Sequence, residues 1–569
     1  MRLDCAIRQG LIVDGTGNPG YVSDVGIRDG LVCAIGDLSS VQAAIEIDAG
    51  GEELGADSRV PHPRCVVAPG FIDAHSHSDF TLLAGKAADS MIRQGVTTQV
   101  VGQCGFSPAP VYEENRRQVA RFLLWPPHAE DAMPWSTYGG WLACAQSAGL
   151  TTNILSLVGH NTLRLAVMGE QARTATEDEQ KRMMELLDEA ISQGAAGLSS
   201  GLEYAPGSSA APSELAALCG VVRRRGGIYT THIRNRDRFY EKAVDEVIRL
   251  ARETGVRVQL AHLNLRERTG EARGTWERVV SMLEQARRLE GLEIAADCLP
   301  YTWGPGLYLA FLPDSFVEGG LSHALERLRQ PETRRHVRSS CDRYWRFVFQ
   351  GEWDRVMLGS CSSHPEFVGR TFMEIADQWK KDPWDCYFDI LCDEGPERAH
   401  GLLLQGRLFS EAHVEEMIRH PLYMIGSDAF AQSAEGPLST LQSSQAAFGW
   451  TARVMETYVR ERRVLRLEEA IRKMTSFPAQ QYRLRNRGVL REGAIADVVV
   501  FDPDRIRDAG TVNAPRAYPE GMTHVILNGR LVVDRGVYAG ATEGRVLSIE
   551  ADATRCGRDE SMSGGGRGT

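Results

Sequence analysis

No uninterrupted apolar run in this chain approaches the roughly 18–20 residues that cross a bilayer, so no helical membrane anchor is expected. A basic surplus is missing too. Lys and Arg total 64 against 75 Asp and Glu, a net charge of -11, with no cluster of the kind that neutralises phosphates. Nucleic acid is therefore not an expected partner. The 12 cysteines are scattered and never form a CxxC pair. The opening residues, MRLDCAIRQG, lack the basic region and apolar run of an export signal. Reduced thiols and a cytoplasmic location are the expectation. The closing stretch, residues 549–569, is low in complexity, ends SMSGGGRGT and reads as a disordered tail. Nothing in the composition reports an oligomeric state.

What is present is ordinary globular material, 43% hydrophobic and 24% charged. Residues 1–65 are strand-like with turn punctuation (LIVDGTGNPG, DVGIRDGLVCAIG), and the same texture returns over 481–548 (ADVVVFDPD, HVILNGRLVVDRG). Between them, over 66–480, short apolar runs alternate with helical segments such as EDEQKRMMELLDEAISQG and FYEKAVDEVIRLARETG. The runs are GFIDAHSH, TTQVVGQC, NILSLVGH, GAAGLSSG, GGIYTTHIR, VRVQLAHL, LEIAADCLPY and YMIGSDAF. Eight strands in βα alternation suggest an α/β fold of the (β/α)₈ barrel type, with an open parallel sheet as the alternative. A longer insertion is expected around 310–415, between the seventh and eighth runs.

A metal-competent residue ends most of these runs. His75 and His77 close the first, and their spacing of two sets both imidazoles on one face of a strand. Cys104 ends the second run, His232 the fifth, His262 the sixth and Asp428 the eighth. Each alone has a bland explanation, as a core histidine, a buried thiol or a helix cap. Those explanations would have to coincide at one end of several successive strands, and in a barrel that is the end that carries the active site. Imidazole, thiolate and carboxylate together suit Zn²⁺, as one ion or two with an open position for water.

The segment APGFIDAHSHSDF resembles the signature of the metal-dependent amidohydrolase superfamily. The continuation is similar to its N-acyl-D-amino-acid deacylase (D-aminoacylase) branch. The motifs that carry the likeness are MIRQGVTTQVVGQCGFSPAPV, SSGLEYAPGS, THIRNRD, AHL, DPWD, IGSDAF, EEAIRKMTSFPAQ and GVLREGAIADVVVFDP, in family order over most of residues 1–540. The resemblance implies a (β/α)₈ barrel with a small β-sandwich built from both chain ends. It also implies hydrolysis of a linear amide in an N-acyl amino acid or related compound by metal-activated water. His75 and His77 would bind one metal position, and Cys104, His232 and His262 the tighter zinc. Asp428 would accept the water's proton and return it to the leaving amine. Tyr204 is the candidate donor to the substrate or oxyanion. His160, Arg234, Asn264, Tyr301 and Trp303 are candidate substrate contacts.

The likeness breaks on the substrate side. Where the branch is expected to carry a carboxylate-binding arginine after strand eight, this chain has Ser444-Gln445-Ala446. Asn264 stands in place of a lysine, Trp303 and Pro305 in place of small residues, and Arg236 in place of an acid. Arginines 234, 236, 266 and 268 follow strands five and six and are candidates for a relocated anion anchor. Two other readings share the barrel: a cyclic-amide hydrolase of the dihydroorotase or hydantoinase kind, and an inactive binding protein. Cys104, where those cyclic-amide enzymes commonly use a lysine, speaks against the first. Retention of all six candidate ligands speaks against the second.

Overall fold

The computed structural model describes residues 2–50, 65–122, 133–313, 316, 320–340, 344–441 and 444–549. Residues 550–569 of the expected tail lie outside that description. The eight apolar runs form eight parallel strand positions: β1 (Phe71–Asp73), β2 (Val96–Val101), β3 (Asn153–Ser156 continued by Val158–Gly159), β4 (Gly197–Gly201), β5 (Ile228–His232), β6 (Arg257–Leu260), β7 (Ile294–Cys298) and β8 (Tyr423–Ile425). Each pairs with the next, and a parallel bridge between Ser76 and Ala429 returns β8 to β1, closing the barrel. Strand β3 changes partner along its length. Its first segment pairs with β2 and its second with β4. All but one residue of these strands are buried, which is why they read as continuous apolar runs rather than alternating ones.

The helices between them are amphipathic. In Tyr240–Thr254, Tyr240, Ala243, Val244, Val247, Ile248 and Ala251 fall on the buried face, and Gly255 ends the helix at φ 65°. Glu177–Ser192 opens with a capping box formed by Thr176 and Glu179.

The two flanks meet in one nine-stranded sheet. Val66–Pro69 runs parallel to Leu3–Ile12 and antiparallel to Val498–Phe501, stitching the N-terminal strands to the C-terminal ones. Cys5, Ile7, Val25 and Ile27 pack with Val498, Val500 and Ile526 in a single apolar cluster. Val546–Leu547 leaves that sheet and pairs instead with β3. Between β7 and β8, an antiparallel sheet of Trp303–Leu307, Val356–Ser360 and Leu403–Arg407 packs with helices around Phe311, Trp345, Trp353, Trp384 and Tyr387. Among the described residues, no helix is long and apolar enough to cross a membrane.

Candidate active site

The barrel brings the carboxyl ends of β1, β2, β5, β6 and β8 to one point. There the Cys104 Sγ lies 3.4 Å from His75 Nε2, 3.7 Å from His232 Nδ1 and 3.2 Å from His262 Nε2. On the other side of His75, Asp428 Oδ1 is 3.6 Å from its Nε2 and 3.1 Å from His77 Nε2. By donor spacing His75, Cys104 and His262 form one group that could hold an ion and His75, His77 and Asp428 another; His75 belongs to both and His232 to neither, so the spacing differs from the expected division, in which Cys104, His232 and His262 share the tighter zinc. The spacings do fit a metal. Ligands at ordinary Zn–S and Zn–N distances stand about 3.3–3.6 Å apart along the edges of a tetrahedron. Burial pushes the Cys104 thiol well above the usual range, and a bound cation is what would hold it as thiolate among three imidazoles.

Backbone strain marks the same residues. Cys104 has φ 51°, His262 φ 33° and Asp428 φ 49°, values that side-chain-bearing residues adopt at a cost of order 1–3 kcal/mol each. Surrounding hydrogen bonds hold them. Asp297 Oδ1 accepts from the His262 backbone N at 2.6 Å, and its Oδ2 accepts from Gln259 at 2.8 Å. Asp73 accepts from the backbone N of His75 and of Ser427 and from the Ser427 hydroxyl, tying the end of β1 to that of β8. His232 Nε2 is 2.7 Å from Glu203 Oε2, an outer carboxylate of the kind that fixes the tautomer of a metal-binding imidazole. Glu203 in turn accepts from both terminal nitrogens of Arg266, which also pairs with Asp237 at 3.1 Å.

The electrostatics separate the carboxyls. Burial would raise Asp428, but the His77 hydrogen bond and the charges of His75, His77 and Arg236 hold it at about 2, so it is ionised at neutral pH. Burial pushes Asp297 up to about 8 and Asp73 up to about 7. Burial also lowers His75 to about 3 and His232 to about 4, keeping both imidazoles neutral and able to ligate.

A cavity of about 140 Å³ opens over the cluster, lined by His77, Cys104, His262 and Asp428 from the barrel and by Pro305, Leu307, Leu403 and Gln405 from the inserted sheet. Tyr204 and Arg236 also line it. The Tyr204 ring stands 4.6 Å from that of His232.

The other sequence-selected residues lie elsewhere. His160, fully buried, bonds Glu214 at 2.7 Å beside Arg164. Arg234 is engaged by Glu246 and by the Ser208 and Ala210 carbonyls. Asn264 spends its amide on the Leu299 backbone. Tyr301 donates to Asp508 at 2.8 Å and, with Trp303, lines a small side pocket that shares Pro305, Gln405 and Ser444 with the main cavity. Of the other arginines, Arg266 belongs to the Glu203 network and Arg268 is exposed beside Glu352. Glu203, Asp297 and Asp73 were not selected from the sequence. The usable signal was an acid interrupting or directly following an apolar run, as in FID, LEY and AAD.

Known proteins resemble this chain over almost its whole length. A family model described as "Amidohydrolase family" matches residues 65–306 and 378–533. An N-acyl-D-glutamate deacylase from Alcaligenes xylosoxydans xylosoxydans is 33% identical over 555 residues, 97% of either chain. A D-aminoacylase from the same organism is 30% identical, covering 96% of this chain and 98% of that one. The crystal structure of the N-acyl-D-glutamate deacylase from Bordetella bronchiseptica, complexed with zinc and a phosphonate mimic of the tetrahedral intermediate, superposes with a TM-score of 0.78 at 30% identity, covering 96% of this chain and all of that one.

Proposed function

The chain belongs to the amidohydrolase family, and from that premise we propose that it is a zinc-dependent hydrolase of the linear amide in an N-acyl amino acid or a closely related N-acyl compound. The observation that carries this reading is the convergence of His75, His77, Cys104, His262 and Asp428 in two groups of donors close enough to hold an ion, with His232 3.7 Å from the Cys104 sulfur, beneath one cavity. The names of the similar proteins, deacylases of N-acyl-D-amino acids, supply the substrate class.

These six residues would hold one or two zinc ions. When bound, zinc lowers the pKa of a coordinated water to about 7 and polarises a carbonyl oxygen, the two aids an unactivated amide needs. The remaining work falls to the protein. Asp428, ionised and 3.1 Å from His77, accepts the proton of the attacking water. It then delivers that proton to the departing nitrogen, which leaves poorly as an anion. Glu203 and Asp297 keep His232 and His262 in place through the change of charge. Tyr204, whose ring lies beside that of His232 in the cavity wall, is the candidate donor to the substrate oxygen. Leu307, Leu403 and Phe430 exclude bulk water.

The test is a screen of the zinc-loaded protein against N-acyl-D- and N-acyl-L-amino acids, simple N-acyl amines and cyclic ureides, read by mass. Zinc-dependent release of amine from a linear N-acyl compound is expected. Turnover of cyclic ureides alone, or of nothing in the panel, refutes the proposal.

A further inference from the structure

Arg236 is the only arginine or lysine among the described residues lining the cavity over the His/Cys cluster. It is 3% exposed. Its Nη1 donates to the His262 carbonyl at 2.8 Å and lies 2.9 Å from His262 Nδ1. The other edge of the guanidinium is unused. Nε is buried without a partner, and Nη2 makes no hydrogen bond among the described residues. No carboxylate of the described residues forms an ion pair with it. Glu203 is committed to Arg266 and His232, and Asp428 to His77 and His75. A buried cation with free donors is costly unless something anionic completes it. Of the two unpartnered nitrogens Nε is enclosed, which leaves the Nη2 N–H groups as the donors that a carboxylate could reach.

We propose that Arg236 is the specificity-determining cation of this site, gripping the free carboxylate of the substrate through its unpaired Nη2. The inference rests on the amide-hydrolase reading and narrows it to N-acyl amino acids, as against neutral N-acyl amines. The geometry is compatible. An N-acyl α-amino acid carries its carboxylate carbon three bonds from the scissile carbonyl carbon. A carbonyl held over Cys104 and His262 therefore brings that carboxylate beside a guanidinium already bonded to His262. The positions after strand eight offer no competitor: Ser444 and Ala447 line the cavity there, and the Gln445 amide donates to the Gly510 carbonyl. Arg234 and Arg266 are each held by carboxylates outside the cavity lining or behind it.

The test uses the zinc-loaded full chain with N-acetyl-methionine of both configurations and the corresponding primary amides, N-acetyl-methioninamide. Kinetics, calorimetric binding and zinc content are measured for the wild type, Arg236→Met and Arg236→Lys. The wild type is expected to favour acid over amide in kcat/KM by about 30-fold or more, chiefly through KM, as loss of a charged contact implies. Arg236→Met should bring acid and amide to within about threefold at unchanged zinc content, and Arg236→Lys should restore part of the preference. Equal losses on acid and amide in Arg236→Met would overturn the proposal and make Arg236 a positioning residue for His262. A wild type that neither binds nor turns over the acid in preference to the amide would overturn it as well. Preferential binding of the acid, abolished in Arg236→Met but without turnover of either compound, would support the anchor and count against the hydrolase reading alone, which the wider panel then decides.

Discussion

Glu203→Gln tests whether the outer carboxylate network holds the site together. The substitution keeps the shape and removes the charge. Glu203 accepts four hydrogen bonds: from His232 Nε2 at 2.7 Å, from Arg266 Nη2 at 2.6 Å and Nη1 at 3.0 Å, and from the Arg236 backbone N at 3.1 Å. An amide there must turn its NH₂ toward at least one of these donors. Arg266 is fully buried and would keep only Asp237, at 3.1 Å. Breaking one side of a buried, hydrogen-bonded ion pair typically destabilises by about 3–5 kcal/mol. Loss of an outer carboxylate from a metal-binding imidazole typically weakens metal affinity by about 10–100-fold. Urea unfolding of the metal-free protein should therefore show a lower midpoint at unchanged slope, and chelator competition should show weaker zinc binding. The double variant Glu203→Gln/Arg266→Met should recover part of the stability, because the stranded guanidinium goes with its partner. It should recover none of the zinc affinity, since His232 remains unoriented. A single variant within about 1 kcal/mol of wild type and within about threefold in zinc affinity would refute both arguments.

Three further outcomes are expected. Asp428→Asn should keep its fold and zinc but lose about 10²–10⁴-fold in kcat, because the amide cannot carry the proton; a near-normal kcat on the true substrate would remove Asp428 from the chemistry. Cys104→Ala should emerge from purification with markedly less zinc by elemental analysis, since the sulfur is the one donor touching all three of His75, His232 and His262. Burial would raise the Glu214 carboxyl, but His160 and Arg164 outweigh it and hold it below its ordinary 4.5. A depressed acid contributes stability that is complete above its unfolded pKa and is lost as pH falls below it, so the stability of the wild type should decline more steeply below about pH 4.5 than that of Glu214→Gln. Parallel acid limbs in the two proteins would contradict the assignment.

Much of this arrangement was readable from the chain. The His75–His77 spacing is informative because a strand repeats every two residues, and a strand too buried to alternate leaves its polar end conspicuous. Cys104, His232, His262 and Asp428 stood out for the same reason: each ends an apolar run. The substrate-facing selections followed the same rule to different surroundings. His160 does follow β3, but its partner Glu214 arrives from a helix 54 residues on. Arg234 follows β5, and Glu246 from the next helix takes it. Position along a strand says where a side chain starts. Which carboxylate intercepts it depends on helix packing that no local pattern encodes. The left-handed backbone at Cys104, His262 and Asp428 was equally invisible, because glycine and asparagine advertise that conformation and these residues do not.

The strain and the insertion divide the labour of the site. Cys104 sits in a segment with no slack: a Cβ on Gly102 would lie 2.1 Å from the Leu157 carbonyl oxygen, and one on Gly105 would lie 2.7 Å from the Gly201 nitrogen. The thiol is thus clamped between β3 and β4, as Asp297 clamps His262 and Asp73 clamps the end of β8. Those constraints come from the barrel and fix the metal donors whatever the substrate. The facing wall is built differently. Pro305, Leu307, Leu403 and Gln405 belong to a three-stranded sheet inserted between β7 and β8, which packs with a group of aromatic rings continuous with the apolar core of the barrel. The Cα positions of the metal donors are set by the barrel strands and not by that wall, although the Arg346 backbone N reaches Asp237 and so touches the network behind His232. The departures around Trp303 and Pro305 fall on the wall. Arg236 is the residue that joins the two halves: it rides on the barrel, touches a candidate zinc ligand, and lines the space that the inserted wall encloses.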